Sequence, residues 1–426
     1  VLIEKMGYAN GTTVYSSGWI AAVGSKFQKK YNDSEDAMFD DMMRISLGRA
    51  NPEVMRTYVK EAGKGIDWLN SMGINFKVWE NMPSPELNRC VIAQGEGISN
   101  GAMIIRQLLK RAKELNIPIH YNTKAYELIT NDKMEVTGVR CLTEEGKKDY
   151  ISKGGVVITT GGFSANPAMV CKYIGPWGTR LILRGSPYIT GENILMAQQV
   201  MAYMECMDEF YAGPMTPNGK ANPSPLLHAG YGIQINSDGK RFLRESLGQV
   251  GKSLSIAQLT PDNRSYVIIG QDADNNDKIL SKTLKRFARL GYDVLKGDTI
   301  EEVVKKAGLP LENVLATVAE YNKAAKAGTA DKLNPPYLWK AHPLETGPFY
   351  IIPASGGIAA TFGGPKIDGK AQVLNTELRP IPGLYAAGNA AGGLWFHEEI
   401  SGNQLGACLV FGRTAGRESA LRAKKA

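Results

Sequence analysis

Three short apolar runs in this chain each break into a glycine-rich corner, and that repetition constrains the fold more than any other feature. The first is Val1-Leu2-Ile3, followed at once by Glu4 and the loop "EKMGYANGTTVYSSG". The second is "VVITTGG" at 156–162, and the third is "GLYAAGN" at 383–389. A buried strand that runs into glycine suits a ligand site, because a backbone without Cβ lets amide groups approach closely. The 47 glycines among 426 residues exceed the ~7% of ordinary chains, as many tight turns and close approaches require.

Between the corners the pattern alternates. Residues 36–73 carry helical periodicity through Met38, Met42, Met43, Ile45, Leu47, Met55, Tyr58, Val59, Ile66 and Leu69. "SNGAMIIRQLLKRAKELNIPI" reads as a helix with Ile104, Leu108, Ala112 and Leu115 on one face, stopped by Pro118. Residues 124–160 switch to strands: "AYELIT", "MEVTGVRCLT" and "DYIS", separated by turn residues, predict an antiparallel meander. "GYGIQINSDGKRFLRE" at 230–245 predicts a hairpin turning at Ser237-Asp238-Gly239. Helices are expected near 300–307 and 311–326. The tail is expected to be a helix with a small-residue face of Gly406, Ala407, Gly412, Ala415 and Gly416. This layout predicts one α/β domain made from both ends of the chain, 1–207 and 351–426, with a second domain, 208–350, inserted between them.

Several function classes are disfavoured. The net charge is +8, but the basic residues are dispersed and form no arm for nucleic acid. The five cysteines are isolated, without a C-x-x-C pair, and the four histidines lack metal-ligand spacing. Neither a disulfide framework nor a metal site is expected. No apolar run approaches the ~18 residues of a membrane span, and no signal peptide is visible, so a cytoplasmic location is expected.

The three corners in this order, with a meander between the first and second, resemble the FAD-dependent fumarate reductase/succinate dehydrogenase flavoprotein superfamily, which includes the 3-ketosteroid dehydrogenases. The resemblance implies a Rossmann-like FAD-binding domain with an antiparallel meander, plus an inserted α+β capping domain. It places Glu4 at the adenosine ribose and counts Lys5, next to it, among the cofactor-binding residues. Gly11, Thr12, Thr13, Ser17 and Gly18 fall along the pyrophosphate and flavin edge, and Ala125 falls at the adenine. Thr160, Gly161 and Gly162 fall against the cofactor, and Gly388 and Asn389 lie beside the ribityl chain. Asn403, Gln404 and Leu405 would open a helix whose positive end faces the flavin pyrimidine. In this superfamily a G-x-G-x-x-G loop precedes the ribose acid by roughly 20 residues, so the natural chain is expected to extend upstream by one βα unit. Covalent attachment would need a histidine in the first loop. Positions 9–18 contain none, so non-covalent FAD is expected.

The substrate side departs from the fumarate reductases. Their dicarboxylate-binding His and Arg positions fall on Gly213, Gln249, Ala359, Ala360 and Glu399. A carboxylate at ~4 Å from a substrate carboxylate would weaken binding. "CMDEFYAGP" at 206–214 leans toward the ketosteroid dehydrogenases. The expected activity is therefore an FAD-dependent oxidoreductase that dehydrogenates or reduces a C–C bond next to a carbonyl in a neutral or apolar, ketone- or steroid-like substrate. Tyr350 is the first choice to handle the proton, with Tyr211, His397 and Glu399 as the others. Two alternatives stay open: a reductase of unsaturated carboxylates with a rearranged clamp, for example on Arg244 or Arg184, and a non-catalytic flavin-binding subunit. No haem motif or iron–sulfur spacing occurs, so the electron partner is left unassigned.

Overall fold

The computed structural model describes residues 1–425 except 81–87, 96–99, 220–221, 224–226, 228–229, 275–277, 293 and 397–399. The chain packs as two units. Val1–Ile174, Gly185–Phe210 and Ala360–Ala426 form the first, and Gly175–Arg184 and Tyr211–Ala359 form the second.

In the first unit, the corner-bearing strands are short and parallel. Leu2–Ile3 runs parallel to Ile119–His120, and Val156–Ile158 runs parallel to Pro380–Ala386. Lys124–Thr130, Val136–Thr143 and Gly146–Ile151 form the expected antiparallel meander. Trp19–Ala21, Cys90–Gln94 and Asn75–Val78 make a separate antiparallel sheet.

The single helical period over 36–73 becomes two helices, Glu35–Ile45 and Pro52–Ser71. Ser34 caps the first by accepting from Ala37 N, and Asn51 caps the second by accepting from Glu53 N. Leu47 belongs to neither apolar face. It is 69% exposed and left-handed at φ 55°, so it ends the first helix. Asn100–Glu114 also ends early. Asn116, at φ 51°, makes the left-handed stop two residues before Pro118. The tail helix Asn403–Lys425 uses its small face only in part. A Cβ at Gly406 would meet Tyr58 Oη at 1.9 Å, whereas Gly412 and Gly416 face open space. Those two glycines help to line an apolar groove of about 480 Å³ together with Trp68, Ile105, Leu108 and Leu405.

The second unit is α+β. Its sheet orders Gly232–Ile235, Ser265–Ile269, Phe349–Ala354 and Leu295–Gly297, all antiparallel. Strand alternation sorts the side chains onto two faces. Ile233, Ile268 and Ile351 pack under the helices Ile300–Ala307 and Leu311–Ala327. Val267, Ile269, Tyr350 and Ile352 pack under Ile279–Arg289. The hairpin expected at 230–245 forms only its first limb. The Asn236 carboxamide accepts from the backbone of Asp238 and Lys240, and the return strand is reduced to one bridge, Ile235 to Arg241. Among the described residues no helix is long and apolar enough to cross a membrane.

Candidate active site

Two of the glycine corners are brought together by register. Leu384, Tyr385 and Ala386 pair in parallel with Val156, Val157 and Ile158, so Thr160–Gly162 and Gly388–Asn389 leave the same carboxyl end of the sheet. That end is where open α/β sheets bind ligands. Both corners need glycine. Gly161 and Gly388 have φ of 75° and 62°, and a Cβ at Gly162 would lie 2.0 Å from Thr361 Oγ1. That hydroxyl accepts from Phe163 N at 2.9 Å and fixes the turn.

The first corner is assembled by packing of its loop. Gly18, at φ 71°, lies against Asn100 at the start of the Asn100–Glu114 helix; a Cβ there would be 2.6 Å from Asn100 Cβ. Ser186 Oγ donates to Asn10 O at 2.8 Å, and Ser186 N donates to Thr12 Oγ1 at 3.3 Å. Gly11 faces open space and Ser17 is exposed. Thr13 O accepts from Ser16 Oγ at 2.8 Å. One Glu4 oxygen accepts from Met6 N at 2.8 Å. The Lys5 ammonium is already engaged, 2.7 Å from Thr190 Oγ1 and 2.8 Å from Glu192 Oε1. Ala125 pairs with Cys141 beside a register shift in the meander. Asn403 Oδ1 is 3.1 Å from Tyr58 Oη, and Gln404 Oε1 accepts from Asn389 Nδ2 at 3.0 Å.

The residues present fit a polar dinucleotide. Asn389 Oδ1, Asn193 Oδ1, Glu205 Oε2 and Trp395 Nε1 are buried and lack a hydrogen-bond partner. All four sit on or against the segment 388–395: Asn193 Nδ2 donates to Ala390 O at 3.0 Å, and a Cβ at Gly393 would be 2.1 Å from Glu205 Oε2. Unpartnered buried polar atoms carry a desolvation cost of roughly 1–3 kcal/mol each, which a polar ligand relieves.

The second unit carries a different constellation. Arg184 follows the strand Ile182–Leu183, and its backbone N donates to Ile358 O at 2.8 Å. Its Nη1 is buried and has no hydrogen-bond partner. Two glycines make room for the side chain. A Cβ at Gly213 would fall 1.6 Å from Nη1, and one at Gly357 would fall 3.0 Å from Cδ. The same point at Gly213 is 3.3 Å from Gln249 Oε1. Gly213 N donates to Gly357 O at 3.0 Å, and Gly357 N donates to Ser253 Oγ at 2.9 Å. The corner is thus bound to the helix Gln249–Leu259. Burial holds the guanidinium below the ordinary arginine value; Tyr211 is close enough to oppose that shift electrostatically.

The other sequence candidates are placed as follows. Tyr350 is a core residue, its ring among Val267, Ile269, Phe287 and Ile352. Its position in the strand alternation, rather than a reaction centre, accounts for its burial. Tyr211 is half-buried on Phe210–Ala212. Arg244 is exposed. His397 and Glu399 lie outside the described residues.

Sequence reasoning missed Lys252. It is fully buried, donates to Leu227 O, and lies 4.7 Å from the Trp339 ring centre. The nearby Glu245 is committed to Arg241 at 2.8 and 2.6 Å. Burial pushes the amine down to about 7 from 10.5. Below about pH 7 both folded and unfolded states hold the proton, so the cost of burying the charge is constant. Between about 7 and 10.5 only the unfolded chain holds it, so stability rises with pH across that window. Urea titrations from pH 6.5 to 10, spaced by roughly half a unit, should show this rise, worth up to a few kcal/mol. Lys252→Met should flatten it. An equal slope in the variant would remove Lys252 as its source.

Fold and corners together define a flavin dinucleotide-binding oxidoreductase. The chain belongs to the FAD binding domain family, whose model matches residues 1–405, and its cofactor is FAD. A fumarate reductase (cytochrome) from Shewanella frigidimarina is 29% identical over 430 residues, covering 100% of this chain and 73% of the relative. A urocanate reductase from Eggerthella lenta is 30% identical over 439 residues, covering 99% of this chain and 70% of the relative. Among solved structures, the open conformation of a flavocytochrome c3 fumarate reductase matches with TM-score 0.85 and 27% identity, over 99% of this chain and 74% of that one. The 3-ketosteroid-delta4-(5alpha)-dehydrogenase from Rhodococcus jostii RHA1 matches with TM-score 0.76 and 24% identity, over 98% of this chain and 91% of that one, and bears on fold alone. The chain is an FAD-dependent oxidoreductase acting on CH–CH groups, with the mixed α/β architecture expected.

Proposed function

We propose that this enzyme reduces the double bond of an α,β-unsaturated carboxylate, the carboxylate being held by Arg184. The observation that carries the reading is the buried, unpartnered Nη1 of Arg184. Arg184 as a residue is half-buried, but a buried charged N–H without a partner is costly, and a neutral ketone would offset less of that cost than an anion. An anionic ligand removes it through a charge-assisted hydrogen bond. This shifts the choice from the neutral substrate to the carboxylate with a rearranged clamp, and from Arg244, which is exposed, to Arg184.

FAD, bound non-covalently at the glycine corners, supplies hydride-transfer chemistry. Reduction of the double bond also consumes one proton at the carbon next to the carboxylate. Tyr211 is the group we assign to that role, because its phenol neighbours the Arg184 charge. Tyr350, enclosed in the core, is not assigned a role. The reductant comes from outside these 426 residues, which contain no C-x-x-C-H haem motif.

The test is anaerobic stopped-flow of the dithionite-reduced holoprotein. Unsaturated acids should restore the oxidised flavin spectrum, while their methyl ketone counterparts should not. Reoxidation by the ketones alone would overturn the assignment.

A further inference from the structure

We infer that the Arg184 corner takes a single carboxylate, so that the substrate is a monocarboxylate with an uncharged far end. This rests on the carboxylate reading above and narrows it.

The corner is built for one anionic group. Arg184 Nη1 is its unpartnered donor. Gly213 and Gly357 leave the Arg184 side chain its space, since a Cβ at Gly213 would meet its Nη1 and one at Gly357 would press on its Cδ. The helix Gln249–Leu259 starts beside it, capped by Gly248 with no side-chain hydrogen bond. Its first-turn N–H groups have no partners within the helix and its end carries partial positive charge. Gln249, the first helical residue, has its side-chain oxygen 3.3 Å from where a Gly213 Cβ would stand, so the start of the helix lies close to the guanidinium.

A second carboxylate would need a second cation; among the described residues of this unit Arg180, Arg241 and Lys252 are committed, and Arg244 is exposed. Arg180 donates to Pro261 O and Ala257 O, each at 2.6 Å. Arg241 is paired with Glu245 through two hydrogen bonds. Lys252 is enclosed and donates to Leu227 O. Among the described residues of this unit, the one other buried side-chain atom without a partner is Gln234 Oε1, an acceptor that repels a carboxylate. Gly213, Gln249 and Ala359 contribute no charge. A far-end carboxylate would therefore give up water without compensation.

Calorimetric titration of the oxidised holoprotein measures binding without turnover. Fumarate, monomethyl fumarate and dimethyl fumarate keep the carbon skeleton constant while carrying two, one and no carboxylates. The monoester should bind at least about tenfold tighter than fumarate, and the diester should not bind, given the penalty for unpaired buried polar groups. Arg184→Met should abolish monoester binding. Gln249→Arg, which adds a cation beside the corner, should narrow the preference for monoester over fumarate. Fumarate binding as tightly as the monoester would overturn the single-carboxylate inference and leave the carboxylate reading standing. Binding of the diester or of a matched enone, with neither acid bound, would overturn the carboxylate reading itself.

Discussion

Replacing Arg184 with methionine is expected to lower kcat/KM for an unsaturated acid by between about a hundredfold and a few thousandfold, the loss of about 3–5 kcal/mol that follows removal of one partner from a buried ion pair. FAD content should not change, because the glycine corners proposed to hold it belong to the first unit. Stability should move the other way. In the substrate-free protein Nη1 has no partner, so the native charge is a burden, and methionine fills a similar volume without it. The urea midpoint should rise, by an amount corresponding to roughly 1–3 kcal/mol. This opposite movement separates a ligand-binding role from a structural one. Had the guanidinium been part of an internal network, its removal would lower stability and leave the substrate preference intact. A variant that is both less stable and undiminished in kcat/KM would end the proposal. Substrate dependence gives a further check: residual activity of Arg184→Met should no longer distinguish an acid from its ester.

Why Arg184 was only one of two examples in the sequence, while the cofactor corners were plain, is a matter of range. "VVITTGG" and "GLYAAGN" announce themselves locally: an apolar run ends, glycine supplies a left-handed φ, and parallel pairing of Val156–Ile158 with Leu384–Ala386 does the rest. The meander and the helix starts at Ser34 and Asn51 are local in the same sense. Arg184 acquires its character from Gly213 and Gly357, both distant in sequence, and no window around "LILRGSP" contains that information. Tyr350 is hard to place for the converse reason. Its strand reads well, but only the finished sheet decides which face lies under the helix Ile279–Arg289. Leu47 fits a helical period, yet it sits at a left-handed stop. The hairpin at 230–245 closes its turn through the Asn236 side chain, but its return limb is reduced to one bridge.

Gly213→Ala tests the same corner from the backbone side. The added Cβ would stand 1.6 Å from Arg184 Nη1 and 2.8 Å from Cζ, closer than any non-bonded contact allows, so the guanidinium must leave its place. It is the end of a flexible side chain and can swing aside. Gly213 is absent from the positive-φ residues, so alanine suits its backbone. Folding should be nearly undisturbed, with stability changed by no more than about 1 kcal/mol, as for substitutions that create no cavity and leave no new buried polar group. The acid substrate should nevertheless lose on the order of a hundredfold in kcat/KM, because a shift of about 1 Å in a binding group carries that consequence. The two lesions act through one guanidinium, so their effects cannot add. Gly213→Ala placed on Arg184→Met should cost almost nothing further, giving a coupling energy nearly equal to the single-mutant loss. Additive losses in that cycle would show that the methyl group acts on the reaction by some route other than Arg184.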